Sequence, residues 1–137
     1  SVKAPNNDGI INQILEQMKV VNEGLIFANL VDFDSKFGHR RDVSGYANAI
    51  EEFDKRLPEI LKLTGDNDLL LITADHGCDP TWKGTDHTRE HVPALFYSKK
   101  VSSKNLGFLT TFADMGATIS NHLKTPALKK GVVCNLW

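Results

Sequence analysis

The sequence predicts an α/β fold in which a mostly parallel sheet is flanked by helices. Two observations lead to this prediction. The chain contains short, continuous apolar runs, which are typical of strands buried on both faces, and longer segments whose apolar residues recur every three or four positions. The two kinds of segment alternate along the chain, and such alternation favours right-handed crossovers between parallel strands.

The first predicted element is a helix over residues 8–22. Asn7 and Asp8 are suitable N-cap residues, and Gly24 stands where a helix stop belongs. The apolar residues between them fall at helical spacing: Ile10, Ile11, Ile14, Leu15 and Met18. The first predicted strand follows directly, over the apolar run at residues 25–31.

A second helix is predicted between Ser44, which can cap its start, and Gly65, which ends it. Pro58 lies inside this segment and should kink or split the helix, because proline lacks a backbone N–H and clashes with the preceding turn. Asp66, Asn67 and Asp68 form a predicted turn. Further strands are expected at residues 69–73 and 93–97, and a last helix at residues 110–123.

Composition and charge describe one ordinary globular domain. The chain has 137 residues, 41% of them hydrophobic, and its formal net charge is −1, so there is no basic excess to bind nucleic acid or an anionic membrane. Cys78 and Cys134 are too few and too far apart for a disulfide framework. The apolar runs are far shorter than the ~20 residues of a membrane span. We therefore expect a soluble, cytoplasmic protein with a small-molecule partner.

Titratable side chains gather after the predicted strands, where the functional groups of open α/β sheets usually lie. Asp34 and His39 follow the first strand, Asp75 and His76 follow the second, and His87 comes eleven residues later. Imidazole and carboxylate groups from separate loops are suited to Zn²⁺, Mn²⁺ or Fe²⁺. Two such ions roughly 3.5–4 Å apart would suit phosphoryl transfer.

Each of these residues also has an ordinary interpretation. A lone aspartate after a strand, such as Asp34, is more often a turn former, and Asp-His-Gly alone is a common string. The conjunction of Asp34, His39 and His87 with Asp75 and His76 is what favours a metal site. Three other residues are not counted as ligands. Asp32 is expected to form a turn, with support of a ligand as the alternative, and His91 is expected to be a hydrogen-bonded packing residue. His122 is expected to be a surface residue near the negative end of a helix dipole.

Positive charge surrounds the predicted site. Arg40, Arg41, Lys83 and Arg89 lie in the same loops as the candidate ligands. They could contact a phosphate group, or they could only balance the neighbouring carboxylates.

The spacing Asp34-x4-His39, together with Asp75-His76-Gly77 and His87, resembles the metal-binding signature of the alkaline phosphatase superfamily. The flanking residues narrow the resemblance. The stretch over residues 73–93, with the Thr-Trp-Lys-Gly-Thr-Asp-His run at its centre, and the later stretch over residues 112–119 resemble the phosphopentomutase family.

This resemblance implies a reaction and its cofactors. Phosphopentomutases interconvert ribose 1-phosphate or 2-deoxyribose 1-phosphate with the 5-phosphate, using two Mn²⁺ ions, a phosphorylated threonine and a sugar bisphosphate activator. By position, Asp34, His39 and His87 match the ligands of one ion, and Asp75 and His76 match ligands of the other.

The family's nucleophilic threonine, first core strand and cap domain have no counterpart in this sequence. Residues 1–137 are therefore expected to be the C-terminal part of the metal-binding core of a phosphopentomutase, inactive alone. Without the remaining core strands, an apolar edge or face of the sheet would be exposed, and such a surface favours self-association. Two alternatives stay open. One is a cofactor-independent phosphoglycerate mutase or another superfamily enzyme with the same ligands. The other is a non-catalytic metal-binding module.

Overall fold

A computed structural model describes residues 3–137. Within that range the chain forms three α-helices, two β-strands and one π-helical turn, and it divides into two compact units. The first unit comprises the residues up to Leu63 together with Ala74–Val92, and the second comprises Thr64–Thr73 and Pro93–Trp137. All of the predicted metal ligands belong to the first unit.

Helix α1, Asn7–Val20, opens the first unit and confirms the first predicted helix. Its N-cap is Asn6, one residue before the predicted candidates, and the Asn6 side-chain oxygen accepts the N–H of Gly9 at 2.9 Å. This bond satisfies one of the N–H groups that a helix start leaves without an intrahelical partner. Ile11 and Leu15 are buried on the side of α1 that packs on the next helix.

Helix α2, Val43–Leu63, packs against α1 and buries Ala49 and Ile60. The N–H of Gly45 donates to the side chain of Asp42 at 2.8 Å, so Asp42 caps this helix and the predicted cap, Ser44, lies inside it. Pro58 does not split the helix, which is continuous to Leu63.

One arginine ties α2 to α1 at their surface. The guanidinium group of Arg56 pairs with Asp8 and also donates to the side chain of Asn12 at 2.8 Å, both on α1. On its own helix it pairs with Glu59, three residues on. These contacts join the two helices at their surface, outside the packed faces.

The predicted strand at residues 25–31 is wrong. These residues form no strand, and Leu25 and Phe27 are 59% and 85% exposed. A strand requires the N–H and C=O groups of a neighbouring strand, and none pairs with this run in the part of the chain that the structure describes.

Strands β1, Leu70–Thr73, and β2, Ala94–Tyr97, confirm the other two strand predictions and pair with each other in the second unit. The pairing is antiparallel, with Leu70 opposite Tyr97 and Thr73 opposite Ala94. The alternation of elements had favoured parallel strands. Residues 74–93 contain no helix, however, and a parallel pair needs a crossover connection that is usually helical.

Helix α3, Phe112–His122, confirms the last predicted helix and anchors the end of the chain. The carboxylate of Asp114 accepts the N–H of Val132 at 2.8 Å, and the hydroxyl of Thr118 accepts the N–H of Cys134 at 2.9 Å. These bonds hold the segment that buries Cys134 and Leu136 in the core of the second unit.

Among the described residues, none of the helices combines the length and the apolar character that a membrane crossing requires.

Candidate metal centre

A π-helical turn, Phe33–Gly38, positions the first two candidate ligands. The N–H of His39 donates to the carbonyl of Asp34 at 3.1 Å, a bond between residues five positions apart. In an α-helix, five positions would rotate the second side chain roughly 140° away from the first. The wider turn brings Asp34 and His39 to the same side, and His39 Nε2 lies 3.3 Å from Asp34 Oδ1.

The start of this turn is tied to the start of α1. The N–H of Asn7 donates to the carboxylate of Asp32, and the N–H of Asp32 donates to the side chain of Asn7, both at 3.0 Å. Lys36 pairs with the same carboxylate at 3.1 Å. The buried Asp32 carboxylate is therefore engaged with the start of α1 and with Lys36, across 25 positions of sequence in the first case.

The loops that carry His76 and His87 are joined to each other by main-chain and side-chain bonds. The N–H of Thr88 donates to the carbonyl of Gly77 at 3.2 Å, and the N–H of Asp79 donates to the hydroxyl of Thr88 at 2.5 Å. This contact brings the two rings together: the centroids of His76 and His87 are 3.7 Å apart with 20° between the planes.

Three ligand atoms converge at this point. His87 Nε2 lies 3.2 Å from Asp34 Oδ1, and one ligand atom each from Asp34, His39 and His87 fall within 4.8 Å of one another. Asp34 Oδ1 is buried and receives no hydrogen bond, although two imidazole nitrogens lie nearby. A buried carboxylate oxygen without a hydrogen bond is costly to maintain, and a cation among these three atoms would compensate it. The donor set thus fits a divalent ion.

The contact of His39 Nδ1 with the carbonyl of Thr85 orients the imidazole ring. A carbonyl oxygen can only accept, so Nδ1 carries a proton, and in the neutral imidazole Nε2 then has the lone pair. That lone pair is on the nitrogen next to Asp34. A second hydrogen bond of this kind, to a carbonyl or a carboxylate, is the usual way in which a metal-binding histidine is held in the correct tautomer.

The other predicted pair, Asp75 and His76, lies beside this cluster. His76 Nε2 is 3.7 Å from Asp75 Oδ1, and the His76 ring reaches the cluster through its stack on His87. The Asp75 side chain is 77% exposed, whereas that of His76 is 30% exposed. The structure thus brings all five predicted ligands to one region of the first unit, three of them within reach of a single ion.

Arg41 is one of the four cationic residues whose role the sequence leaves open. Its guanidinium group donates to main-chain carbonyls rather than to a carboxylate: to Gly84 at 2.6 Å, to Asp79 at 2.8 Å and to Asp86 at 2.5 Å. The side chains of Arg40, Lys83 and Arg89, by contrast, belong to exposed residues.

The three-residue cluster offers only nitrogen and oxygen ligand atoms. Burial raises the pKa of the Cys78 thiol, and the nearby Asp34 carboxylate raises it further, so the thiol stays protonated at neutral pH. Burial also raises the pKa of Tyr46, whose ring packs on Phe33 with 5.8 Å between centroids. Hydrogen bonds from Thr81, the hydroxyl first, hold the pKa of Asp79 below its ordinary value.

His91 and His122, which the sequence does not favour as ligands, lie outside the three-residue cluster within residues 3–137. The ring of His122 stacks at 6.4 Å on that of Trp137, in the second unit. His91 belongs to the first unit and is exposed.

Sequence reasoning missed the π-helical turn and the carbonyl of Thr85 as an orienting group. For the Thr85 carbonyl, the only sequence signal is the Gly84-Thr85-Asp86 run before His87, which marks a loop. It does not indicate where the carbonyls of that loop point.

A family model described as the Metalloenzyme superfamily matches residues 2–127 of the chain. Curated relatives named phosphopentomutase are also similar. The protein from Vibrio cholerae serotype O1 (strain El Tor Inaba N16961) is 53% identical over 131 residues, which cover 95% of this chain and 32% of the relative. Those from Yersinia enterocolitica and Actinobacillus succinogenes are 51% and 50% identical, and the alignments cover 95% of this chain. The chain thus spans about a third of the length of these relatives.

Proposed function

This chain belongs to the Metalloenzyme superfamily, and on that premise we propose that it carries divalent-metal ligands of a phosphopentomutase. The reaction assigned to the complete protein is the interconversion of ribose or deoxyribose 1-phosphate with the corresponding 5-phosphate. The names and identities of the curated relatives support this assignment.

The observation that carries the proposal is the environment of Asp34. A buried carboxylate oxygen lies 3.2 and 3.3 Å from the Nε2 atoms of His87 and His39 and receives no hydrogen bond. Side chains packed only for stability normally satisfy such an oxygen. An arrangement that leaves it unsatisfied between two imidazole nitrogens is instead suited to holding a cation.

We assign Asp34, His39 and His87 to one ion, and Asp75 and His76 to a second. The mixture of carboxylate oxygens and imidazole nitrogens is compatible with Mn²⁺, which the resemblance implies. When bound, two such ions would stabilise negative charge on a transferring phosphoryl group and lower the pKa of a hydroxyl nucleophile. A sugar bisphosphate as activator is part of the same proposal. The phosphorylated threonine of the reaction is not assigned to a residue of this chain.

The chain's own residues have two tasks in this proposal. His39, oriented by the carbonyl of Thr85, holds a lone pair toward the ion position, and the π-helical turn fixes its distance from Asp34. The His87 side chain is 48% exposed and that of Asp75 is 77% exposed. A phosphorylated sugar could therefore approach the cluster from solvent.

At the level of the fold, we propose that the complete polypeptide contains a mostly parallel sheet flanked by helices and that residues 1–137 are the C-terminal part of its metal-binding core. The match of residues 2–127 to the Metalloenzyme superfamily supports this.

The test uses the product of the complete reading frame, purified with Mn²⁺. We expect it to convert ribose 1-phosphate to ribose 5-phosphate and to leave 3-phosphoglycerate unchanged. His87→Ala should reduce turnover by roughly tenfold or more, as expected for the loss of a group that holds a catalytic metal. His122→Ala is the matched control and should retain activity, since its ring stacks on Trp137 in the second unit. Conversion of 3-phosphoglycerate alone, or full activity in His87→Ala, would contradict the proposal.

A further inference from the structure

Arg41 has two features that bear on its role. Its backbone lies in the left-handed region, with φ of 55°, although it is not a glycine. Its half-buried guanidinium group donates to carbonyls of three segments: Gly38 at 3.4 Å, Asp79 at 2.8 Å, and the pair Gly84 and Asp86. Strained backbone conformations persist where the surroundings hold them, and they cluster at functional sites.

We propose that Arg41 is a positioning residue for the metal site: it holds the loop that carries His87 against the turn that carries Asp34 and His39. This inference rests on the proposed function, because it concerns the assembly of the same ligands. Arg41 is two residues after His39 in sequence, and the carbonyls it binds in the loop are 38 to 45 positions away.

The geometry of residues 84–86 connects Arg41 to two ligands at once. Three successive carbonyls of this segment point to the turn: those of Gly84 and Asp86 accept from Arg41, and that of Thr85 between them contacts His39 Nδ1. His87 is the next residue along the chain. The same clamp therefore sets the orientation of the His39 ring and the point from which His87 reaches the cluster.

The donors of Arg41 are largely used by these contacts. A guanidinium group has five N–H donors, and four of its bonds here go to main-chain carbonyls. Bidentate contact with a substrate phosphate, the alternative role for a cation in these loops, would require at least one of them to break. Lysine cannot replace this arrangement, since its ammonium group lacks the planar fork that reaches several acceptors in fixed directions.

The test uses Arg41→Lys, which keeps the charge, and Arg41→Gln, which does not, with Arg40→Lys and Arg40→Gln as matched controls at the exposed neighbouring arginine. Folding of each variant of the chain is checked by far-ultraviolet circular dichroism. Three quantities are then compared with the parent: the Mn²⁺ dissociation constant from calorimetry, the visible spectrum of bound Co²⁺, and amide hydrogen exchange over residues 79–87 without metal.

Both Arg41 variants should bind Mn²⁺ roughly tenfold or more weakly, the usual effect of losing a group that orients a metal ligand. They should also alter the Co²⁺ spectrum and exchange the loop amides faster, while the Arg40 variants match the parent. A role confined to overall stability would change the unfolding temperature but not the Co²⁺ spectrum of folded protein. An unchanged spectrum and affinity in Arg41→Lys would overturn the inference.

Failure of the underlying proposal looks different. If the parent chain binds neither Mn²⁺ nor Co²⁺, the metal site itself is overturned, and with it the positioning role. If the parent binds both ions and the Arg41 variants match it in affinity and in Co²⁺ spectrum, the metal site stands and only the inference about Arg41 fails.

Discussion

His39 and Asp34 are joined twice: the main-chain N–H of His39 donates to the carbonyl of Asp34 at 3.1 Å, and the His39 Nε2 lies 3.3 Å from Asp34 Oδ1. The first contact belongs to the π-helical turn and produces the second. Such turns are rare and are frequently found at functional sites, where the extra residue per turn places a side chain that an α-helix would direct elsewhere. Here the placed side chain is a candidate metal ligand.

Replacement of Asp34 should separate stability from metal binding. Without metal, Asp34→Asn removes a buried oxygen that lacks a hydrogen bond, and the new amide can donate to an imidazole nitrogen. We expect the free energy of unfolding to stay equal or rise by up to ~1 kcal/mol. The increase in unfolding temperature that Mn²⁺ causes by binding the folded state should disappear.

Asp54→Asn, at an exposed position of α2, is the control and should keep the Mn²⁺ effect. Differential scanning calorimetry with and without Mn²⁺ measures both quantities. An Asp34→Asn variant that is still stabilised by Mn²⁺ to the extent of the parent would contradict the assigned role.

Gly77 should not tolerate a side chain. A Cβ atom at this position would lie 2.6 Å from the carbonyl oxygen of Thr88 and 2.7 Å from the nitrogen of Glu90, both backbone atoms. Gly77→Ala must therefore push the two loops apart, which overpacking data place at about 1–3 kcal/mol of unfolding free energy. Denaturant unfolding measures this loss, and Mn²⁺ affinity should fall with it.

Gly116→Ala is the matched control for the same chemical change. A Cβ there meets Leu128 Cδ1 at 3.5 Å, an ordinary contact, and the position lies inside α3. Alanine should stabilise the helix by roughly 0.5–1 kcal/mol relative to glycine. Equal effects of the two substitutions would show that the contact of Gly77 with the facing loop is unimportant.

The capping box of α3 predicts a measurable loss for Thr111→Ala. The Thr111 side chain accepts from the first turn of the helix, and the side chain of Asp114 accepts from the N–H of Thr111 in return. Removing the hydroxyl should lower the free energy of unfolding by ~1 kcal/mol, as at other N-caps. Urea titration would measure it against Ser103→Ala, at an exposed loop position. A loss no larger than in the control would mean that the cap contributes nothing.

Asp114 should make stability depend on pH. Hydrogen bonds to its carboxylate, first from the N–H of Val132 and then from Thr111 and Thr110, lower its pKa from the ordinary 3.8. The unfolded chain therefore binds this proton more readily than the folded one. The stabilisation is complete above the ordinary pKa and is lost as the pH falls through the lowered pKa of the folded protein.

Asp114→Asn should accordingly be less stable than the parent at neutral pH, and the difference should shrink when the pH falls below about 3.8, the ordinary value. The control is Asp54→Asn, at an exposed position of α2. Thermal unfolding at several pH values gives both curves. A difference between parent and Asp114→Asn that stays constant through the acid range would contradict the assignment of this carboxylate.

The helices could be predicted from the sequence because their signals are local. Apolar spacing and capping residues lie within each segment, so the predicted ranges 8–22 and 110–123 match Asn7–Val20 and Phe112–His122 closely. Strand signals are less complete. Residues 25–31 have the apolar character of a buried strand, yet a strand exists only where another supplies its hydrogen bonds.

The candidate site was predictable in composition but not in geometry. Asp34, His39 and His87 were chosen from their positions after apolar runs and from the resemblance, and the structure places their ligand atoms together. Three features escaped prediction: the π-helical turn, the Thr85 carbonyl that contacts His39, and the clamp formed by Arg41. All three depend on which carbonyl accepts which N–H group, and the Arg41 acceptors in the facing loop are about forty residues away.

The cluster joins parts of the chain that are far apart in sequence. His39 contacts Thr85 across 46 positions, and Asp34 contacts His87. An ion held there would act as a reversible cross-link. Closing a loop of this length costs the chain conformational entropy, and a cross-link formed only in the folded state opposes reopening. The concentration of the ion would then affect the lifetime of the folded first unit as well as the proposed reaction.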